Sequence, residues 1–187
     1  MHFKKIILAT CLLTNTIIAE TSIGLNINDK DLELIAEFNM NSFTDYSSGT
    51  NYILAMNYLY VDEEHLTSIG FNGENSLQGL EDLSMAFGAK LLFRKNFLAL
   101  PLEAKIKYTL PLTDTIPPTS LMGSVAYAPT VLSFSDAEAY KEFRIEAGME
   151  PISNIHLFTG YRNIDTDYEL EDINFNESFY FGMKIGF

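Results

Sequence analysis

The chain has 187 residues, of which 25 are acidic and 12 are basic, so its formal net charge is −13 at neutral pH. A charge of this sign disfavours nucleic acid as a partner, because a phosphate backbone would be repelled. A single cysteine, Cys11, excludes an internal disulfide and a metal site built from several cysteines.

The first 19 residues, MHFKKIILATCLLTNTIIA, have the pattern of a secretory signal peptide. Lys4 and Lys5 precede an apolar stretch, and cleavage is expected after Ala19. A membrane helix is disfavoured because Asn15 keeps the run short of the ~20 apolar residues that a span needs. A lipoprotein signal at Cys11 is a weaker alternative. Residues 20–187 would then form one domain with ten basic and 25 acidic residues, a net charge of about −15.

After the signal, apolar and polar residues alternate with a period of two, which is typical of β-strands with one apolar face. No later stretch approaches a helical membrane span. The alternation predicts ten strands, at 21–28, 31–40, 51–61, 65–73, 81–94, 96–110, 119–129, 137–150, 154–165 and 177–187. Eight strands are the main alternative, because the patterns at 21–28 and 65–73 are the weakest.

Short turn sequences separate several of these strands, as at 28–30, 61–64, 94–96 and 151–154. Longer connections are expected at NSFTDYSSGTN, PLTDTIPPTS and DTDYELEDINFN. In a ten-stranded outer-membrane barrel with both ends in the periplasm, the turns at 28–30, 61–64 and 94–96 would lie outside the cell. Such barrels usually place their short turns on the periplasmic side. Either the count of ten strands is wrong, or this barrel has unusually short outer turns at these positions.

An alternating sheet can place its apolar face on either side. A soluble barrel that binds an apolar ligand would turn Leu100, Leu102 and Ile145 inward and leave Lys105 and Glu146 in water. A transmembrane barrel would turn the apolar face to lipid and the charges into the lumen. The export signal and the tyrosines at strand ends favour the membrane barrel.

On that interpretation, ten charged side chains are expected to point into a lumen narrow enough to be filled by side chains. Opposite charges on neighbouring strands can pair there, which predicts a closed, charge-packed lumen. A narrow channel is the alternative. These residues are Lys90, Arg94, Glu103, Lys105, Lys107, Glu142, Arg144, Glu146, Arg162 and Lys184.

The chain ends in ESFYFGMKIGF, in which every second residue is large and apolar. These residues are Phe179, Phe181, Met183, Ile185 and Phe187. A terminal strand of this kind resembles the signal that the outer-membrane barrel assembly machinery reads, so this machinery and outer-membrane lipid are the expected partners.

Several segments resemble the YfaZ family of Gram-negative outer-membrane proteins: NFLALPL, KYTLP, YAPTVLSFSDAEAYKEFRIEAG, TGYRNID and the terminal strand. The block from Tyr127 to Arg144 is the most specific. The resemblance covers about half of the chain well, and it implies an outer-membrane β-barrel. It carries over no catalytic residue, cofactor or ligand.

Small outer-membrane barrels that modify lipids use His with Ser and an acidic residue, and His65 with Glu64 and Ser68 is the one such combination that merits naming. A solvated turn histidine is the simpler interpretation. His156 is expected in the lumen near the periplasmic end. No phosphate-binding loop, dinucleotide fingerprint or zinc-protease motif is present. The sequence therefore predicts a non-enzymatic outer-membrane barrel without a cofactor, in a structural or narrow-pore role.

Overall fold

A computed structural model describes residues 21–43, 49–112, 117–168 and 172–187. Its fold is all-β, with short 3-10 turns at Met40–Phe43 and Thr130–Leu132. In the described part of the chain, no helix is long and apolar enough to cross a membrane. The strands are β1 (Ser22–Ile27), β2 (Asp31–Asn39), β3 (Asn51–Val61), β4 (Glu64–Leu77), β5 (Leu80–Arg94), β6 (Phe97–Ala99), β7 (Leu102–Thr109), β8 (Thr119–Ala128), β9 (Ser133–Ser135), β10 (Ala137–Ile152), β11 (Ile155–Tyr168) and β12 (Asp172–Gly186).

Ten of these strands close into an antiparallel barrel in the order β1, β2, β3, β4, β5, β7, β8, β10, β11 and β12. Closure comes from β1 and β12, which pair from Ser22 opposite Gly186 to Ile27 opposite Phe181. Thr21 and Phe187 extend this strand pairing with two backbone hydrogen bonds of 3.3 and 2.9 Å. We call the end of the barrel that holds Thr21 and Phe187 the terminal end, and the opposite end the far end.

The strand count confirms the prediction of ten, and the eight-stranded alternative is wrong. The three tight turns near residues 29, 62 and 95 all lie at the far end, as ten strands require. At the β3–β4 turn, Asp62 and Glu63 both have positive φ, 44° and 71°. Two consecutive positive φ angles are what a two-residue hairpin needs to match the twist of its strands.

The prediction of a long connection at the segment DTDYELEDINFN is wrong. β11 continues to Tyr168 and β12 already begins at Asp172, so most of this segment is strand. Its polar side chains support the pairing, because the Asn174 amide donates to Asp165 at 2.9 Å. The acidic composition predicted a loop. Pairing between the side chains of the two strands stabilises the extended conformation in spite of that composition.

The expected strand at 96–110 is interrupted at Leu100 and Pro101. The Leu100 amide donates to Leu132 at 2.8 Å, and Lys90 donates to the Pro101 carbonyl at 3.1 Å. Proline lacks an amide hydrogen and therefore cannot continue the ladder on both sides. The short strand β6 pairs with β5 on one side and with β9 on the other, and the alternation did not predict β9.

The two faces of the barrel are arranged inside out relative to a soluble protein. Large apolar side chains are exposed on the outer surface, for example Phe179 (76%), Leu102 (60%) and Val125 (54%). Charged side chains are buried inside, including Arg162, Glu33 and Lys90. The soluble-barrel alternative required Leu102 and Ile145 to face inward, and it is wrong because both are exposed on the outside.

Gly88 on β5 illustrates how tightly the inner face is packed. A Cβ at this position would overlap the Asn72 side chain and the Phe71 carbonyl oxygen, whereas a Cβ at Gly123 has its nearest neighbour at 3.7 Å. We expect Gly88→Ala to lower the free energy of unfolding by about 1–3 kcal/mol, the usual cost of overpacking. Gly123→Ala is the matched control, with an expected change within about 0.5 kcal/mol. Urea unfolding of the refolded barrel in detergent micelles measures both, and equal effects would contradict this packing argument.

Candidate functional site

The lumen holds most of the buried polar groups, and it is the candidate functional site. Alternation along β7 and β10 places charges on the inner face at every second position, as at Glu103, Lys105 and Lys107. From the far end to the terminal end, the lumen contains three zones. We call them the apolar layer, the ion-pair ladder and the vestibule.

The ion-pair ladder begins at Arg162 on β11, whose side chain is completely buried. Its guanidinium donates to Glu33 at 2.5 Å, to Asp31 at 3.0 Å and to the Asn176 side chain at 2.8 Å. Asn176 also donates to Asp31 at 2.8 Å. A β-bulge in β12 turns both Phe175 and Asn176 inward, which gives Arg162 its third acceptor.

Arg144 on β10 continues the ladder across the lumen. It donates to both carboxylate oxygens of Glu33 at 3.0 and 3.1 Å and to Glu142 at 3.1 Å. Two parallel hydrogen bonds fix the geometry of an arginine–carboxylate pair more strictly than one. Glu142 also accepts a hydrogen bond from the Tyr140 hydroxyl at 2.7 Å.

Lys90 on β5 completes the crossing. It forms a close ion pair with Glu142 and lies 3.5 Å from Glu103, which in turn lies 3.3 Å from Lys105. Cations and carboxylates therefore alternate through eight residues on five strands: Asp31, Arg162, Glu33, Arg144, Glu142, Lys90, Glu103 and Lys105. Alternation of sign is what makes the burial of so many charges tolerable, because each desolvated charge has a partner.

The apolar layer fills the far half of the lumen. Phe97 is 2% exposed, and its ring packs edge-on against Tyr168 with the centroids 5.1 Å apart. The Arg94 guanidinium lies 4.6 Å from the centre of the Phe175 ring and helps to cap the layer. The buried members are Leu59, Val61, Leu66, Leu92, Phe97, Ala99, Ala126, Ala128, Ala137, Tyr140, Ile164 and Phe175. The expected charge-packed lumen is therefore charge-packed only in its middle, since its far half is apolar.

Little free space separates the apolar layer from the ion-pair ladder. Between the two lies a gap of only about 20 Å³, bordered by Leu92 and Ile164 on one side and Glu142 on the other. A space of this size holds about one water molecule.

The vestibule occupies the terminal half of the lumen and measures about 300 Å³. Its floor is the ion-pair ladder at Lys90, Glu142 and Arg144. One wall carries the apolar side chains of Ile35 and Ile53. The other lining residues are Glu37, Ala55, Asn57, Asn72, Glu74, Ala86, Glu103, Lys105, Lys107, Met122, Ser124, Glu146 and Lys184.

The structure distributes the ten predicted charges over all three zones. Lys90, Glu103, Lys105, Glu142, Arg144 and Arg162 belong to the ion-pair ladder, while Lys107, Glu146 and Lys184 line the vestibule. Arg94 lies beside the apolar layer, where it donates to Thr166 at 3.0 Å.

The predicted set included Glu142 and Glu146, which contact Arg144, but it omitted Asp31 and Glu33, the acidic partners of Arg162. Glu33 lies on the polar face of β2, and the alternation along Leu32, Leu34 and Ala36 would have identified it. Asp31 and Asn176 carried no comparable signal, because Asp31 follows a turn and the bulge shifts Asn176.

The combination of His65, Glu64 and Ser68 does not assemble into a catalytic arrangement. His65 is exposed on the outer face, where its ring stacks between Tyr58 and Tyr60 at 6.1 and 6.4 Å. Ser68 is buried on the inner face and accepts a hydrogen bond from Asn57. His156 lies in the lumen near the terminal end, stacked 6.0 Å from Phe158.

The terminal strand presents its apolar face to the outside along its whole length. The exposed fractions there run from 41% at Met183 and Ile185 to 76% at Phe179. The backbone of Phe187 is fixed by Thr21, so the final residue is part of the barrel wall.

The fold is similar to that of two solved porin structures. A KdgM porin in complex with disordered oligogalacturonate superimposes with a TM-score of 0.52, at 10% identity over 90% of this chain and 99% of that chain. Another KdgM porin structure gives a TM-score of 0.50 at 9% identity with the same coverage. At such identities the similarity extends to the fold alone. No family model and no curated protein matches the sequence.

Proposed function

We propose that this protein is a non-enzymatic outer-membrane β-barrel of the YfaZ type whose lumen is closed. The observation that carries the proposal is the inside-out distribution of side chains. Apolar residues surround the outside of the barrel, and ion pairs with almost no solvent exposure cross its centre. Acyl chains can cover such an outer face, whereas water would leave a continuous apolar surface exposed.

The proposal orients the barrel with its terminal end in the periplasm. Residues 1–19 act as the export signal, and the apolar face from Phe179 to Phe187 is what the barrel assembly machinery reads. The far end then lies outside the cell, where the tyrosines and His65 near the rim meet the lipid headgroups. The three far-end turns near residues 29, 62 and 95 are shorter than those of most outer-membrane barrels.

The lumen supports a structural role more strongly than a conducting one. Ion-paired groups can be hydrated by small movements, but an apolar constriction resists wetting and blocks ions. The apolar layer is therefore the main barrier. A narrow-pore role, as the porin fold allows, would require this layer to rearrange.

Two measurements test the proposal on the refolded protein. Electrophoresis without boiling is expected to give a faster band that shifts after heating, as a closed barrel retains its shape in detergent. Planar-bilayer recording is expected to show no steady conductance at low voltage. A soluble protein that does not insert into bilayers would contradict the membrane assignment, and a stable open channel would contradict the closed lumen.

A further inference from the structure

We infer that the vestibule is a binding site for small apolar zwitterions, namely free amino acids or dipeptides with apolar side chains. The inference goes beyond the proposed structural role, and it holds whether or not the barrel conducts. It rests on three groups that line the vestibule without a partner of the kind that they need. These are Lys107, Glu74 and the side-chain oxygen of Asn72.

Most charges of the vestibule are already neutralised by neighbours. Lys184 pairs with Glu37 at 2.9 Å, and Glu146 accepts a hydrogen bond from Tyr180 at 2.6 Å and lies 3.8 Å from Arg144. These pairs make the inner surface polar without an excess of either sign. They do not by themselves select a ligand.

Lys107 and Glu74 are the exceptions. Lys107 is exposed in the vestibule, and it forms no ion pair with any residue that the structure describes. Glu74 accepts a hydrogen bond from Ser84 at 2.6 Å but meets no described cation. The two residues lie on the strands at either side of β5, where Ser84 is opposite Lys107 and Ala86 is opposite Glu74. Two strand spacings and an offset of two residues along β5 place their backbones about 12 Å apart.

Asn72 supplies an independent indication of a ligand. Its side chain is 3% exposed and lines the vestibule, and its Oδ1 has no hydrogen-bond partner within the described ranges. A buried carbonyl oxygen without a donor is costly. The oxygen is enclosed beside Gly88, so the ammonium or amide hydrogen of a ligand reaches it once the Asn72 side chain rotates toward the vestibule.

The neighbouring wall, on β2 and β3, determines the apolar part of the ligand. Ile35, Ile53 and Ala55 form an apolar surface on β2 and β3, next to Asn72, which pairs in register with Ile53. A ligand that fits all four features has a carboxylate for Lys107, an ammonium group for Glu74, a hydrogen donor for Asn72 and an apolar side chain. A dipeptide, which spans about 7 Å, can bridge the two charges with the help of their flexible side chains.

The size and position of the cavity agree with this class. About 300 Å³ is at the lower limit for small-molecule pockets. The lining residues Glu37, Lys107 and Lys184 lie near strand ends at the terminal end, so a ligand enters from that side. The ion-pair ladder stops it from travelling further.

Calorimetric titration of the refolded full chain in detergent with leucyl-leucine tests the inference, with free leucine and detergent alone titrated in parallel. We expect leucyl-leucine to bind, and acetylation of its amino end or amidation of its carboxyl end to weaken binding roughly tenfold or more, as for loss of a hydrogen bond to a charged group. Binding of leucine alone would assign the site to amino acids. Absence of binding by both would overturn the inference.

Variants locate the ends of the ligand. Lys107→Met is expected to weaken leucyl-leucine but to leave its carboxamide unaffected, and Glu74→Gln is expected to weaken leucyl-leucine but not the acetylated form. Lys95→Met and Glu63→Gln, at far-end turns, are the matched controls. The inference would be overturned if leucyl-leucine that is both acetylated and amidated bound as tightly as unmodified leucyl-leucine. It would also be overturned if all four variants bound leucyl-leucine with the same affinity. Neither result would affect the gel shift that tests the membrane barrel.

Discussion

Replacing Arg162 with methionine is expected to lower the free energy of unfolding by about 3–5 kcal/mol, the largest stability effect of any single substitution that we propose. The reason is not the loss of attraction alone. Arg162 is completely buried and contacts Asp31, Glu33 and Asn176, so its removal leaves two carboxylates in the barrel without this cation. A desolvated charge without a partner costs more than the pair contributed.

The matched control is Lys141→Met. Lys141 pairs with Asp167 at 2.9 Å, but its side chain is 56% exposed, so water and salt screen the interaction. Its loss is expected to cost about 0–1 kcal/mol. Both variants are unfolded in urea from detergent micelles. If Arg162→Met changes stability no more than Lys141→Met does, the ladder does not hold the barrel together as described.

Removing side chains from the apolar layer is expected to open a conducting path through the barrel. Phe97→Ala together with Leu92→Ser replaces two residues that are 2% and 1% exposed by smaller or polar ones. The constriction can then be wetted, and the charged groups of the ion-pair ladder can be hydrated in turn. Planar-bilayer recording is expected to show discrete openings that the unsubstituted protein lacks.

Phe93→Ala is the control for this experiment, because Phe93 lies on the same strand as Leu92 but faces outward and is 40% exposed. It is expected to remain silent. The gel shift on heating shows whether each variant is folded, and Leu92→Ser alone serves if the double variant does not fold. Folded variants that all remain silent would show that the apolar layer is not the barrier.

Alternation predicted the strand count and placed Glu103, Lys105 and Lys107 on one face, because a period of two fixes the face of every residue once one face is known. The export signal and the tyrosines at strand ends then assigned that face to the lumen. It could not predict the apolar layer. Inward positions such as Leu92 and Ile164 are apolar in the far half, so adjacent pairs such as Leu91 and Leu92 carry no alternation.

The pairing of charges in the lumen could not be predicted from the sequence, for a different reason. Which carboxylate meets which cation depends on register between strands that are distant in the chain, as between Glu33 and Arg162. The bulge that turns Phe175 and Asn176 inward adds one residue to β12 and shifts the face of those that precede it. Neither a register nor a bulge follows from composition or local pattern.

Apolar side chains of the barrel face lipid while charged side chains face the lumen. Two single-cysteine variants, one at position 102 and one at position 105, test this arrangement most directly. Leu102→Cys and Lys105→Cys are made in a chain whose single cysteine, Cys11, is replaced with serine. Leu102 is 60% exposed on the outer face, and the Lys105 side chain is 31% exposed toward the vestibule. After refolding into lipid vesicles, a small water-soluble thiol reagent is expected to label position 105 and to spare position 102 until the protein is unfolded. Labelling of 102 with protection of 105 would contradict the account.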